Sequence, residues 1–468
     1  MVVLEFLKSM IDNFGAPVIV PIIIGIIALI LRVKPQKAFL SGLYAAVSLE
    51  GISLMLGSFT PIISPLVQNM GDVMVHVTGV KLNVFDVGWQ AASLVAFSTS
   101  AGMIYLGLGI LIQTILFLVK WTKCFQASDL WNNYSYMVWG AMVIYVTGSY
   151  PLGIACMVLL NLYSLLVSDM FAKRWSTYYQ YPNCTIIAMH SVESGVFGAI
   201  LDPIYNLIGL NKVKFNPSSI QNKIGFLGEP MTIGFLLGAL IGLLGNITKL
   251  GTMEAWGSIL VAAVATSAVM AIFPKITGFF SQAFAPITDA ARKVMGKRTD
   301  QNWYIAVNDA VGYGEPATLT CGLLIMPIII LIAFFLPGNQ TLPVVDLVAL
   351  PYAMEVLVAI HNGNMAKVLI TSAIYFGLGL LMCSYTAPLF TEVAVHAGYT
   401  VPAGSAMITS FVILGKPLIG FVMLAFLTKN PLWIGLTVVV YAIWYVVYRK
   451  NSNRFDEYLE LQAEKNVQ

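Results

Sequence analysis

Phe14-Gly15-Ala16-Pro17 opens one long apolar run, and Leu227-Gly228-Glu229-Pro230 opens another near the middle of the chain. The second proline follows the first by 213 positions (230 − 17). Other anchors recur in the same order. Asp86 and Asp309 each head a polar, glycine-bearing stretch, 223 apart (309 − 86). Asp129-Leu130 and Asp346-Leu347 each begin a later apolar run, 217 apart (346 − 129). Ile200-Leu201-Asp202-Pro203 answers to Leu414-Gly415-Lys416-Pro417, 214 apart (417 − 203). Four anchors at nearly one offset predict a duplicated half. Duplicated membrane halves holding a substrate between them are a common build of carriers.

Composition places the chain in a membrane. Of its 468 residues, 58% are hydrophobic and 10% charged. That is too little charge to cover a soluble protein of this size. Asn13 to Leu31, Met231 to Thr248 and Asn430 to Tyr448 carry no charge, and about 20 apolar residues span a bilayer as a helix. The expected fold is an all-α polytopic membrane protein with about ten to twelve transmembrane segments, some of them half-spans. Val87 to Val119 and Leu130 to Ser168 lack any Asp, Glu, Lys or Arg and are too long for one helix. The Gly, Ser, Thr and Gln residues of Val87 to Ser100 suit a re-entrant hairpin, whose irregular backbone survives only against protein or water.

The expected halves are 1–210 and 227–427, joined by a polar, proline-broken segment at 211–226. A further transmembrane helix at 428–450 and a cytoplasmic tail at 451–468, read as a short solvated helix, follow. About five crossings per half make the second copy inverted. Arg32, Lys34 and Lys37 after the first run put that loop inside and the N-terminus outside. Arg292, Lys293, Lys297 and Arg298 mark another inside loop, and Arg449, Lys450 and Arg454 put the C-terminus inside. No cleavage site follows the first run, so it reads as a retained span.

The net charge of +3 comes without a dense basic patch, which argues against nucleic acid as a partner. The five cysteines and four histidines show no metal-ligand spacing, so neither a metal nor a cofactor is expected. Ionisable groups at membrane depth are costly, and each is therefore a candidate for function. They are Asp86 with Trp89 and Gln90, His190 and Glu193, Glu229 and Glu315 in two Gly-Glu-Pro triplets, Asp309, and Glu50, Glu355 and His361. For Glu50 and Glu355 the stronger reading is a structural pairing. For Glu229 and Glu315 it is balanced against capping of a helix start. Carboxylates, amides, a histidine and a tryptophan suit a polyol, although ion carriers use the same groups.

Ile220-Gln221-Asn222-Lys223-Ile224-Gly225-Phe226-Leu227-Gly228-Glu229-Pro230-Met231-Thr232-Ile233-Gly234-Phe235, Asp86-Val87-Gly88-Trp89, Pro337 to Pro343 with Asp346-Leu347, and His361-Asn362-Gly363-Asn364 together resemble the membrane (IIC) subunit of galactitol-type phosphotransferase systems, in the galactitol/ascorbate superfamily. The resemblance spans nearly the whole chain. Gln90-Ala91-Ala92-Ser93 departs from the galactitol pattern beside the expected site. The resemblance implies a homodimer of an inverted-repeat fold in the bacterial cytoplasmic membrane, in contact with lipid. It implies a permease for a hexitol or related sugar, not an enzyme by itself. A separate cytoplasmic IIB protein, supplied by IIA and the general phosphocarriers, would phosphorylate the substrate. It implies a substrate site at Asp309 and His190, with Asp86, Trp89 and Gln90 near it. Glu193, Glu229 and His361 complete the candidate set. The alternative is an ion-coupled secondary transporter of a polar solute. The chain has no phosphate-cradling glycine loop, so any phosphoryl group must come from another protein.

Overall fold

The computed structural model describes residues 13–14, 16–126, 129, 131–213, 215–217, 229–295, 303–401 and 406–466. Most of the 211–226 connection, the first part of the 220–235 motif, and Lys297 and Arg298 lie outside the described residues.

Proline and glycine punctuate the chain. Pro35, Pro316 and Pro431 each stand at the first position of a helix, where the missing N–H costs nothing. Gly79, with φ of 70°, ends a helix in the left-handed conformation. The resulting elements are α1 (Ala16–Ile30), α2 (Pro35–Thr78), β1 (Val84–Asp86), α3 (Trp89–Ser98), α4 (Ser100–Leu118), β2 (Cys124–Phe125), α5 (Tyr134–Thr147), α6 (Tyr150–Tyr178), β3 (Cys184–Thr185), α7 (Met189–Val192) and α8 (Ser194–Leu207). The same order then runs again: α9 (Pro230–Gly245), α10 (Met253–Met295), β4 (Tyr304–Ala306), α11 (Ala310–Tyr313), α12 (Pro316–Phe335), β5 (Thr341–Leu342), α13 (Leu350–Ile360), α14 (Met365–His396), β6 (Met407–Thr409), α15 (Phe411–Leu414) and α16 (Gly420–Leu427). A final helix, α17 (Pro431–Glu464), has no counterpart.

This is an all-α polytopic membrane protein. Among the described residues, α2, α6, α12, α14, α17 and the Met253–Ile272 part of α10 are long and apolar enough to cross a bilayer. Other helices are shorter than a full span, such as α1 with 15 residues, α5 and α8 with 14, and α13 with 11. α1, α2, α9 and α10 pack mainly on one another, and the remaining helices form a second group. Small residues allow close approach of α9 to α10, as expected where lipid supplies no hydrophobic drive. A Cβ at Gly238 would lie 2.4 Å from the Ala262 carbonyl oxygen.

The short strands make two buried parallel sheets, ordered β5-β1-β6 and β2-β4-β3. Each sheet takes its central strand from one half of the series and its flanking strands from the other. The register fixes which residues correspond. Val84 faces Thr341 as Tyr304 faces Cys124, and Phe85 faces Ile408 as Ile305 faces Cys184. The Val87 amide donates to the Thr409 carbonyl at 2.9 Å, as the Val307 amide donates to Thr185 at 2.8 Å. The offset is therefore 220 for the central strands (304 − 84), 217 for β2 and β5 (341 − 124), and 224 for β3 and β6 (408 − 184). Asp129 and Asp346 remain counterparts. Asp86 and Asp309 do not, contrary to the sequence reading. The position equivalent to Asp86 is Ala306, and the one equivalent to Asp309 is Trp89. Loops of unequal length absorb the difference.

The tail also departs from expectation. It continues α17 and docks on the second helix group instead of standing in solvent. Arg174 Nη1 donates to Glu460 Oε2 at 2.6 Å, and Asn206 Nδ2 to Gln462 Oε1 at 2.6 Å. Leu459 and Ala463 are buried.

Candidate functional site

Parallel strands bring their C-terminal ends to one edge, where ligands of open sheets characteristically bind. At the edge of β2-β4-β3 each strand stops and a short helix begins. Asp129 and Asn132 follow β2, Asp309 follows β4, and His190 and Ser191 follow β3. All five side chains are buried. His190 Nε2 lies 2.7 Å from Asp309 Oδ2, to which Ser191 Oγ also donates at 2.7 Å. Asn132 Nδ2 donates to Asp129 Oδ2 at 2.9 Å and to Asp309 Oδ1 at 3.3 Å. An ionised carboxylate only accepts, so His190 donates to it from Nε2 and leaves Nδ1 as its second polar atom. That Nδ1 and Asp129 Oδ1 are buried and have no hydrogen-bond partner within 3.5 Å among the described residues, with the Asn308 side chain beside Asp129. The Tyr134 ring lies 6.0 Å from the His190 ring, and the half-buried Trp89 ring 6.5 Å from Tyr134. The edge thus offers open polar atoms beside an aromatic face, a surface chemically matched to a hydroxylated carbon chain.

The edge of β5-β1-β6 is closed. Asp86 Oδ1 accepts from the amides of Gly88 (3.1 Å) and Phe411 (3.0 Å). Its Oδ2 accepts from the amides of Val344 (3.1 Å) and Asp346 (2.7 Å). Asp346 accepts from the Trp89 amide (2.8 Å), the Val412 amide (2.9 Å) and Ser410 Oγ (2.8 Å). These two carboxylates tie three strand exits together.

The other candidates are distributed. Gln90 stands in the first turn of α3, next to Trp89. Glu193 lies at the α7–α8 break, and its Oε1 accepts from the amides of Leu418 (2.6 Å) and Ile419 (3.3 Å). From the facing break, Lys416 Nζ donates to the His190 carbonyl and to Tyr375 Oη, both at 3.0 Å. His361 is in a separate, fully bonded network. Its Nδ1 lies 2.7 Å from Asp202 Oδ1, its Nε2 lies 3.0 Å from Thr371 Oγ1, and Lys367 Nζ donates to Asp202 at 3.0 Å. Glu229 is exposed at the N-cap of α9 and makes no side-chain cap bond. Glu315 caps α12, accepting from the Thr318 amide at 2.7 Å. Glu50 is exposed on α2. Glu355 is buried, accepts from Trp175 Nε1 at 3.1 Å, and packs where only Gly312 fits: a Cβ there would lie 2.2 Å from Glu355 Oε2.

Asp129, Asn132, Ser191 and Lys416 were not among the sequence-derived candidates. Asp129 stood in view as a repeat anchor, and Asn132-Asn133 as a polar pair in a run without charge. Lys416 stood in view as part of a repeat anchor and as a lone charge in apolar sequence, and Ser191 carried no signal beyond its neighbours.

A family model described as "PTS system sugar-specific permease component" matches residues 10–404. The PTS system galactitol-specific EIIC component of Escherichia coli (strain K12) is 29% identical over 428 residues, covering 91% of this chain and 92% of that protein. A protein of the same organism named "Putative permease IIC component" is 30% identical over 400 residues, covering 85% of this chain and 89% of its own length.

Proposed function

We propose how this chain, which belongs to the family of PTS system sugar-specific permease components, handles its substrate. It takes a hexitol, galactitol or a close relative, at the β2-β4-β3 edge and exposes it to the cytoplasm. A separate IIB protein then adds the phosphoryl group. The observation that carries this reading is the pair of buried atoms without a hydrogen-bond partner among the described residues, Asp129 Oδ1 and His190 Nδ1. An unmade buried hydrogen bond costs about 1–3 kcal/mol, a cost that substrate hydroxyls would repay.

Each residue has a task in this reading. Asp309 holds His190, Ser191 and Asn132 in place and shares substrate hydroxyls with Asp129. His190 meets a hydroxyl at Nδ1. Trp89 and Tyr134 cover the C–H side, and Gln90 is next to Trp89 in the chain. Lys416 and Glu193 join the two helix breaks behind His190. Asp86, Glu229 and His361 are assigned to structure. The two copies are inverted in the membrane, and the chain works as a homodimer. The α1-α2-α9-α10 group is the natural dimerising surface, since exposed Leu54, Leu260 and Val264 lie on it.

The test is uptake by inside-accessible vesicles. Accumulation should require phosphorylated IIB and should deliver the sugar phosphate. Accumulation of unmodified hexitol on a proton or sodium gradient alone would contradict the reading and favour an ion-coupled carrier.

A further inference from the structure

Behind the Asp129–Asp309 cluster lies a second buried polar group, built entirely from carboxamides and tyrosines. Gln113 on α4 donates from Nε2 to Asn133 Oδ1 and to Asn161 Oδ1, both at 3.1 Å. Asn161 on α6 donates from Nδ2 to Gln126 Oε1 at 2.7 Å. Gln126, just after β2, donates to Asn133 Oδ1 at 3.2 Å and to Tyr136 Oη at 3.1 Å. Tyr105 Oη donates to Asn161 Oδ1 at 3.1 Å. Gln113 and Asn133 are fully buried. Even so, Gln113 Oε1 and Asn133 Nδ2 have no hydrogen-bond partner among the described residues.

The repeated series supplies an internal control. By the β2/β5 offset of 217, Gln113 corresponds to Ile330 and Asn133 to Leu350. For α6 and α14 the match is set by the group that accepts from the amide preceding the strand. Asp169 takes the Lys123 amide and Ser384 takes the Gln340 amide, an offset of 215 (384 − 169). Asn161 then corresponds to Phe376. Ile330, Leu350 and Phe376 are all buried. In the other half the scaffold packs at these positions with apolar side chains, so the repeat itself does not call for the polar group.

We propose that Gln113 and Asn133 form a second hydroxyl-binding subsite that reads the far end of an extended polyol. A hydroxyl donates once and accepts at its lone pairs. The two atoms without partners are one acceptor, Gln113 Oε1, and one donor, Asn133 Nδ2, the complement of a hydroxyl. Position supports the pairing with the first cluster. Asn132 contacts Asp309, and its chain neighbour Asn133 contacts Gln113. Consecutive Cα atoms are about 3.8 Å apart, within the length of a six-carbon polyol. A four-carbon polyol held at Asp129, Asp309 and His190 leaves the amides unused. The subsite is thus a length gauge, and it rests on the polyol reading given above.

The test compares a hexitol with a tetritol for binding to the full-length protein in detergent. Gln113→Met keeps the side-chain length and removes the acceptor. Hexitol affinity should fall about tenfold, the effect of one lost hydrogen bond, while tetritol affinity stays unchanged. A hexitol-to-tetritol ratio equal to that of wild type overturns the subsite, whether both affinities hold or both fall together in folded protein. This includes the case in which the amides hold only water. If Gln113→Met misfolds, Gln113→Ala is judged by the same ratio. Wild-type protein that binds neither polyol overturns the substrate reading and the subsite with it. An unchanged ratio in a hexitol-binding protein overturns the subsite alone.

Discussion

The edges of the two three-stranded sheets are corresponding pieces of one repeated design, and their carboxylates meet different fates. At β5-β1-β6, Asp86 and Asp346 accept from six backbone amides and the Ser410 hydroxyl. At β2-β4-β3, among the described residues, Asp309 and Asp129 accept only from side chains and Asp129 retains an oxygen without a partner. A carboxylate that accepts from amides is fixed by the fold itself. One held by Asn, Ser and His side chains can exchange those partners for substrate hydroxyls without unfolding a strand end. Each edge draws one acid from each half, Asp86 with Asp346 and Asp129 with Asp309, so the repeat yields a structural pair at one edge and, in the proposed reading, a binding pair at the other.

The largest expected effect of breaking this contrast lies on the closed edge. Asp86→Ala strands four buried amides, and each buried group left without its partner costs about 1–3 kcal/mol. We expect loss of folded protein, or a fall in thermal stability of at least about 4 kcal/mol, measured by size-exclusion chromatography after heating. Folded, stable Asp86→Ala protein would remove Asp86 from the architecture.

On the open edge, Asp309→Asn and His190→Ala should abolish hexitol binding while the protein elutes as wild type does. Binding by both variants at wild-type affinity would take the site away from this edge.

The smallest effects concern the two Gly-Glu-Pro helix starts. Glu315→Ala should cost about 1 kcal/mol, the ordinary loss of an N-cap, visible as a lower thermal midpoint. Glu229→Ala, exposed and without a cap bond, should stay within about 0.5 kcal/mol. Equal losses at the two would show that Glu229 has a partner of its own.

Much of the architecture was legible in the sequence, because long uncharged runs and recurring Pro and Asp anchors follow from the bilayer and from duplication. The pairing of Asp86 with Asp309 was not. Their offset of 223 (309 − 86) fell among the true offsets, and only strand register separates 220 from 224. Asp309 and His190 were found as charges in apolar sequence. Asn132 and Asn133 are neutral, so the same search passed over them. Asp86 carries the same chemical signal as Asp309, and which backbone amides reach a carboxylate is decided by three-dimensional packing. The docked tail was misread for a related reason. The exposed face of α17 gives it a polar composition, while Leu459 and Ala463 fill a seam whose other side is far away in sequence.

Asp129 and Asp346 are counterparts in the repeat, and exchanging each for Asn tests the difference between the edges most directly. Hexitol binding and thermal stability are measured on the same purified Asp129→Asn and Asp346→Asn proteins. The expected result is that Asp129→Asn keeps its stability and loses binding, while Asp346→Asn loses stability. Stable Asp346→Asn protein that no longer binds, beside Asp129→Asn protein that binds normally, would contradict the account.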